Sequence, residues 1–295
     1  MILLAGIINV NAYSLNKHVG HMPVGQFSSS VFTFSFLFLL PVLFFRENKV
    51  SFYGKAKFVL TRAFFGAIGG ISKYWAAKEM DYSNSVALNS LSPIFAALFS
   101  RVLWKEKLSI FTLVALLIGL TGVVLVVKLT FLFGILVESQ AKEFNPYMKL
   151  VPIASGIIYG FAFSCMRKVG TEVSPILVSL LVSIFVVPDG IIFQLIYEEE
   201  FVLPGCFSDR LVVCVAGFGL CAALLLLNRG LALEKSGPGV LIRNCDVVVA
   251  YGIQVVFFDS IPNVLSVCGA LLVISSAVIV TANKLFFEKC CKYEF

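Results

Sequence analysis

The chain is organised by apolar runs long enough to cross a lipid bilayer. Residues 24–45 carry no charged side chain, and neither do residues 110–127 or 211–228. About 20 helical residues cross a hydrocarbon core about 30 Å thick, where backbone groups must be satisfied within the segment. Composition agrees. Of 295 residues, 59% are hydrophobic and 14% charged, with mean hydropathy +0.95; soluble domains average roughly 45–50% and about 25%. These values exclude a soluble globular enzyme, a nucleic-acid binder and a disordered scaffold. They leave an all-α polytopic membrane protein.

Apolar segments fall near 1–16, 24–45, 57–77, 84–103, 109–128, 148–166, 174–196, 211–231, 237–258 and 264–283. The first is short and holds Asn9, Asn11 and Asn16, so it reads as a partial helix or a truncated one. No Lys or Arg precedes it, so no cleavable signal peptide is expected. With ten spans, 14 Lys and Arg fall on the side of the termini and 7 on the other. The positive-inside rule then puts both termini in the cytoplasm. Five of the eight cysteines lie inside apolar runs, so no structural disulfide is expected; Cys290 and Cys291 in the tail are S-palmitoylation candidates.

The two halves repeat at an offset of about 155 residues. Ala77-Lys78-Glu79-Met80-Asp81 precedes the fourth span as Ala232-Leu233-Glu234-Lys235-Ser236 precedes the ninth, and Leu116–Val123 aligns with Leu271–Val278. Five spans per half is an odd number, so the second half would insert upside down, as in many carriers with a midplane site. The expected units are a first repeat at 1–129, a loop at 130–147, a second repeat at 148–284 and a tail at 285–295.

Polar stripes mark where a site would lie. Ser85, Asn89, Ser92, Ala96 and Ser100 share one helical face of the fourth span. Their counterparts Gly239, Arg243, Asp246, Ala250 and Gln254 share a face of the ninth. Such stripes face a bundle interior or a watery cavity rather than lipid. Arg243 and Asp246 lie deep enough to be costly. They either neutralise each other at i,i+3 or offer a guanidinium fork to an anionic solute, with Asp246 holding it or taking a proton.

Lys73 reads first as snorkelling to the outer interface, with a cavity role as the alternative. Asn228 and Arg229 are its repeat counterparts. Tyr159 could line the cavity or only pack. Arg62 reads as an interfacial anchor, Pro188-Asp189-Gly190 as a break or loop boundary ending the seventh span, and Pro93 as a kink in the fourth. Gly66-x-x-x-Gly70 and Gly156-x-x-x-Gly160 suit close helix contacts, and a homodimer is compatible with them. His18 and His21 lack metal-ligand company, and neither a P-loop nor His-Glu-x-x-His occurs, so no enzyme activity, metal or cofactor is expected.

With these pieces in place, the chain resembles the drug/metabolite transporter superfamily of EamA type, most closely the G-type group of solute carrier family 35. The resemblance rests on Arg62, Ser92-Pro93, Lys105-Glu106-Lys107-x-Ser109, Phe131-Leu132-Phe133-Gly134, Glu234-Lys235-Ser236-Gly237-Pro238 and Asp246-Val247-Val248. It implies about ten transmembrane helices in two inverted five-helix EamA-type repeats, and a central cavity lined by helices 3, 4, 8 and 9. It also implies transport of small metabolites, with relatives carrying nucleotide sugars and organic anions. Span 1 is short, Leu129-Thr130 stands where the group often has prolines, and Lys73 stands where an apolar residue is usual.

The expected function is secondary transport of a small anionic metabolite across a plasma or secretory-pathway membrane. The expected partners are that solute and the bilayer, without nucleic acid. Candidate binding residues are Arg243, Asp246, Asn89, Ser92, Lys73, Asn228, Arg229 and Tyr159. A non-transporting membrane adaptor is the contrasting reading.

Overall fold

The computed structural model describes residues 1–19, 21–46, 52, 54–79, 82–105, 110–134, 150–198, 200–202, 207–233 and 246–258, then 267–269, 271–272, 274–276 and 278–279. Arg243, the Gly237–Gly239 stretch, most of the 130–147 loop and the tail cysteines lie outside these residues.

The described residues are helical, without strands. In chain order the helices are α1 (Ile2–His18), α2 (Val24–Arg46), α3 (Ala56–Glu79), α4 (Tyr82–Asn89), α5 (Ser92–Trp104), α6 (Ile110–Gly134), α7 (Leu150–Val169), α8 (Pro175–Ile196), α9 (Phe207–Leu233) and α10 (Asp246–Phe258). Among the described residues four stretches are both long and apolar enough to cross a membrane: Val24–Phe45 of α2, then α7, α8 and α9. The chain is thus an integral membrane protein. "Inner" is used below for the face where α1 begins and α9 ends, and "outer" for the opposite face.

Local chemistry sets the helix ends. Ser174 accepts a hydrogen bond from the Ile176 amide at 3.2 Å, and Pro175 occupies the first turn of α8, where its missing N–H costs nothing. Gly170 takes φ +65° just after α7 and its N–H reaches Met166 O, a left-handed stop that suits glycine.

Two proline expectations come out differently. Pro188-Asp189-Gly190 does not end α8, which runs on to Ile196 with Pro188 inside it. Intramembrane helices tolerate such prolines because neighbouring groups satisfy what the ring releases. Pro93 does more than kink its span. The helix stops at Asn89, turns through Ser90-Leu91 and restarts as α5 with Pro93 in its first turn. The α6 helix also outruns its expected end, continuing to Gly134 through the apolar Leu129–Phe133.

Packing joins the two halves of the chain. The most extensive neighbours are α2 with α8, α3 with α7 and α8, α1 with α9, and α5 with α7. Small residues permit these approaches. A Cβ on Gly160 would lie 2.8 Å from the Ala96 amide nitrogen, and one on Gly156 would lie 3.4 Å from Asn89 O. That pair brings α7 onto the break between α4 and α5. A Cβ on Gly25 of α2 would overlap the Gly190 carbonyl oxygen of α8.

Candidate functional site

The buried polar groups of the bundle converge on α3. Its midpoint lies near Ala67, with Arg62 and Lys73 each five to six residues away, or about 8 Å at 1.5 Å per residue. Arg62 is 1% exposed and Lys73 3%. Neither expectation for these cations holds. Arg62 is not an interfacial anchor, because its side chain folds back along its own helix over Gly66, where a Cβ would overlap the guanidinium. Lys73 does not snorkel; its ammonium lies 4.0 Å from the centroid of Tyr13 and 3.4 Å from Asn9 Oδ1. A cation over an aromatic face is stabilised by the ring quadrupole, more so when desolvated.

The second half supplies the groups around Arg62. Its Nη2 donates to Asn228 Oδ1 at 3.2 Å, and its Cζ lies 5.3 Å from the Phe163 ring centroid. Asn228 Nδ2 donates to Ser179 Oγ at 2.9 Å, and Ser179 Oγ donates to Pro175 O at 2.8 Å. A relay of donors thus runs from α3 through α9 to α8. Tyr159 of α7 and Tyr13 of α1 close the top of this cluster with hydroxyls 3.4 Å apart. Tyr13 also leans on Tyr74, ring centroids 4.1 Å apart.

Between these groups lies a cavity of about 20 Å³, lined by Asn9, Tyr13, Arg62, Lys73 and Tyr159 with Phe32, Val182, Leu220, Leu224 and Leu227. That volume suits about one water molecule, far below the roughly 300–1,000 Å³ of an organic-ligand pocket. Two cations line it, and among the described residues lining it there is no carboxylate. The larger groove between α2 and α8, about 610 Å³, contrasts with it. Its polar groups include Gln26, Ser29 and Thr33, each engaged with backbone groups of α2, of α8 or of the segment beyond α8, and no charged residue lines it.

The expected site residues distribute unevenly. Lys73 and Tyr159 line the cavity, and Asn228 joins them only through its hydrogen bond to Arg62. Asn89 and Ser92 are buried at the α4–α5 break instead, where Asn89 Nδ2 donates to Ser155 Oγ at 2.9 Å and Ser155 Oγ donates to Gly69 O at 2.9 Å. The Gly69 position abuts the Tyr159 ring, so this network touches the cavity wall from behind. Ser155→Ala would leave both the Asn89 amide and the Gly69 carbonyl short of a partner. It is expected to cost about 1–3 kcal/mol, read as a lower midpoint in thermal unfolding of the purified protein.

Arg229 is exposed on α9 and takes no part in the cluster. Asp246 is buried at the first turn of α10, which packs on α4 and α1. Arg243 lies outside the described residues. Asn9, Tyr13 and Arg62 were not among the candidates, although Asn9 is a polar residue in an apolar run and could have signalled an inward face.

Comparison with known proteins places this geometry. The EamA-like transporter family matches residues 1–128 and 147–282. Solute carrier family 35 member G1 of Homo sapiens is 28% identical over 267 residues, covering 89% of this chain and 72% of that protein. The Mus musculus protein of the same name is 26% identical over 251 residues, covering 84% and 68%. A crystal structure of another protein shares the fold with TM-score 0.73 at 17% identity, over 97% of this chain and 98% of that one. The resemblance to the G-type group of solute carrier family 35 therefore extends along most of the sequence. The chain, a helical membrane bundle with two cations buried at its centre, belongs to the EamA-like transporter family.

Proposed function

We propose that the chain is a secondary carrier for a small organic anion, working by alternating access about the α3 cavity. The observation that carries this reading is the pair of buried cations on α3, both lining one small cavity. Burying two like charges in a bilayer is costly, by about 3 kcal/mol each on insertion scales and more by simulation. An anionic solute neutralises that cost on binding, which gives Arg62 and Lys73 a purpose that packing alone does not. Arg62 grips a carboxylate or phosphate through its fork, Lys73 adds a point charge, and Asn9, Tyr159 and Asn228 set orientation.

The cavity is too small for such a solute in this closed arrangement, so binding requires the halves to separate. Inter-half contacts exist at both faces for that purpose. At the outer face His21 pairs with Asp209 at 3.1 Å, and Gln26 exchanges two hydrogen bonds with the Val202 backbone at 2.5 and 3.0 Å. At the inner face Lys55 pairs with Glu172 at 2.9 Å and donates to Val169 O at 3.1 Å. In this reading the chain forms two inverted five-helix repeats, 1–129 and 148–284, with both termini cytoplasmic. Arg243 and Asp246 stay in the proposed binding set as the charged pair that the second repeat contributes.

The deciding experiment is uptake and counterflow in proteoliposomes with labelled mono-, di- and tricarboxylates, sugar phosphates and neutral and cationic controls. Saturable counterflow of one anionic class, absent for the controls, is the expected result. No counterflow across the panel would leave the adaptor reading instead, and transport of the cations alone would overturn the anion assignment.

A further inference from the structure

One half-buried ionisable group is unused by the cavity. Asp189 lies on α8, seven residues short of Ile196, which puts it about 10 Å inside the outer end. Its Oδ2 is shielded and has no hydrogen-bond partner, and among the described residues no ion pair reaches the carboxyl. Phe185, Asp189 and Phe193 recur at i, i+4 and i+8 and share one face of the helix. Phe185 meets Phe64 edge-on at 6.1 Å, and Phe193 meets Trp75 at 5.4 Å. This spacing puts Asp189 on the α8 face that carries the two aromatic contacts to α3.

Among the described residues, no neighbouring element forms an ion pair with Asp189. Along Val24–Phe45, α2 has no ionisable side chain. On the outer half of α3, Lys73 turns to Asn9, Tyr74 stacks on Tyr13, Lys78 donates to Met22 O at 2.6 Å, and Glu79 is exposed. On α9, Asp209 pairs with His21 and Arg210 is exposed. On α8 itself, Tyr197 packs with Phe193 and Trp75. Ionising a carboxyl costs more among apolar side chains at membrane depth than in water.

The seam also joins the two halves and lies under the outer contacts, so opening the outer face brings water to it. We infer that Asp189 is a proton-binding site that governs the outer gate, protonated when the α3–α8 seam is shut and ionised when it opens. This inference rests on the carrier reading for its purpose. On opening, the carboxyl releases its proton to outer water; on closing, it recovers one from the same side. No net proton crosses the membrane. A hydrated carboxyl titrates near pH 4, so each unit of outer pH above that opposes closure by up to about tenfold.

Trp75 reports the gate without any solute. In the Trp104→Phe protein, Trp75 is the single tryptophan, and it touches Phe193 and Tyr197 across the seam. Its quenching by acrylamide is expected to rise at least about twofold from pH 4.5 to 8. Asp189→Asn, a neutral match for the protonated form, is expected to hold quenching low and flat. His21→Asn is carried alongside, because His21 pairs with Asp209 at the same outer face; the Trp75 response is expected to survive it.

A flat response in the Asp189-containing protein would overturn the gate. An unchanged response in Asp189→Asn, or one lost in His21→Asn, would move the proton site elsewhere. Uptake assays add a second arm. Once a transported anion is known, outer alkalinisation at fixed inner pH should slow uptake, and inner pH at fixed outer pH should not. Uphill accumulation driven by a pH gradient and lost in Asp189→Asn would replace gating with coupling, and so overturn the proposal. A pH-dependent Trp75 with no transported anion would sink the carrier reading alone.

Discussion

Arg62→Gln is expected to lower uptake of the transported anion by at least about a hundredfold while the protein still folds and reaches the membrane. A hydrogen bond to a charged group contributes about 1.5–3 kcal/mol, so losing a two-pronged grip removes about 3–6 kcal/mol of solute binding. At about 1.4 kcal/mol per decade that is two to four orders of magnitude. Glutamine keeps an amide that can donate to Asn228 Oδ1, so the local hydrogen bond has a substitute. It also removes a buried charge, and replacing buried charge by neutral groups that still pair is often neutral or stabilising. The diagnostic result is therefore lost transport together with an unfolding midpoint that is unchanged or raised.

A structural role for Arg62 would show the reverse, with the midpoint falling and transport following it. Arg62→Lys keeps the charge without the fork and belongs between the two. Arg243→Gln in the same assay tests the second repeat's share, with loss of uptake and intact surface expression as the expected result. Wild-type uptake by Arg62→Gln would remove the anion assignment.

Gly25→Ala is expected to disable closure of the outer face. The added methyl has no room, since it would overlap the Gly190 carbonyl and lie 3.1 Å from the Gln194 backbone nitrogen. Both obstacles are backbone, so a rotamer change cannot relieve them. Overpacking of this kind costs about 1–3 kcal/mol or more. Here the strain has an exit, because α2 and α8 belong to different halves and can part at the outer end. The closed population should fall by about one to two decades, at about 1.4 kcal/mol each. The check is quenching of Trp75 in the Trp104→Phe background, expected to be high at every pH, together with slow counterflow. Quenching and transport equal to those of the parent would show that the Gly25–Gly190 crossing is not part of the gate.

The sequence carried the layout of this protein further than its chemistry. Runs of apolar residues match several helices to within a few positions, as for 24–45 against Val24–Arg46 and 174–196 against Pro175–Ile196. That works because depth in a bilayer is written in chain length. It also showed that Lys73, Tyr159 and Asn228 sit at membrane depth. It did not show which way a long side chain turns. Arg62 lies near an expected helix end, and position alone allowed it to reach outward; the missing Cβ at Gly66 lets it lie inward instead. The polar residues of α1 read in sequence as weakness in a short span, whereas Asn9 and Tyr13 form one inward face. Asn89 and Ser92 were singled out correctly as buried, but their partner Ser155 comes from another helix, and spacing along one helix cannot reveal that.

The α3 helix has a further consequence for how the protein is made. It holds both cavity cations and several glycines, and among the described residues it is not one of the stretches apolar enough to enter a membrane by composition. An Arg or Lys near the centre of a nascent span costs about 2.5–3.5 kcal/mol at insertion. Its main neighbours are α7 and α8, which are synthesised later. During biogenesis α3 must therefore wait, loosely held near the translocon or the interface, until the second half arrives to shelter its charges. The segment that equips the finished protein to hold a solute is the one that the ribosome delivers too early to be stable.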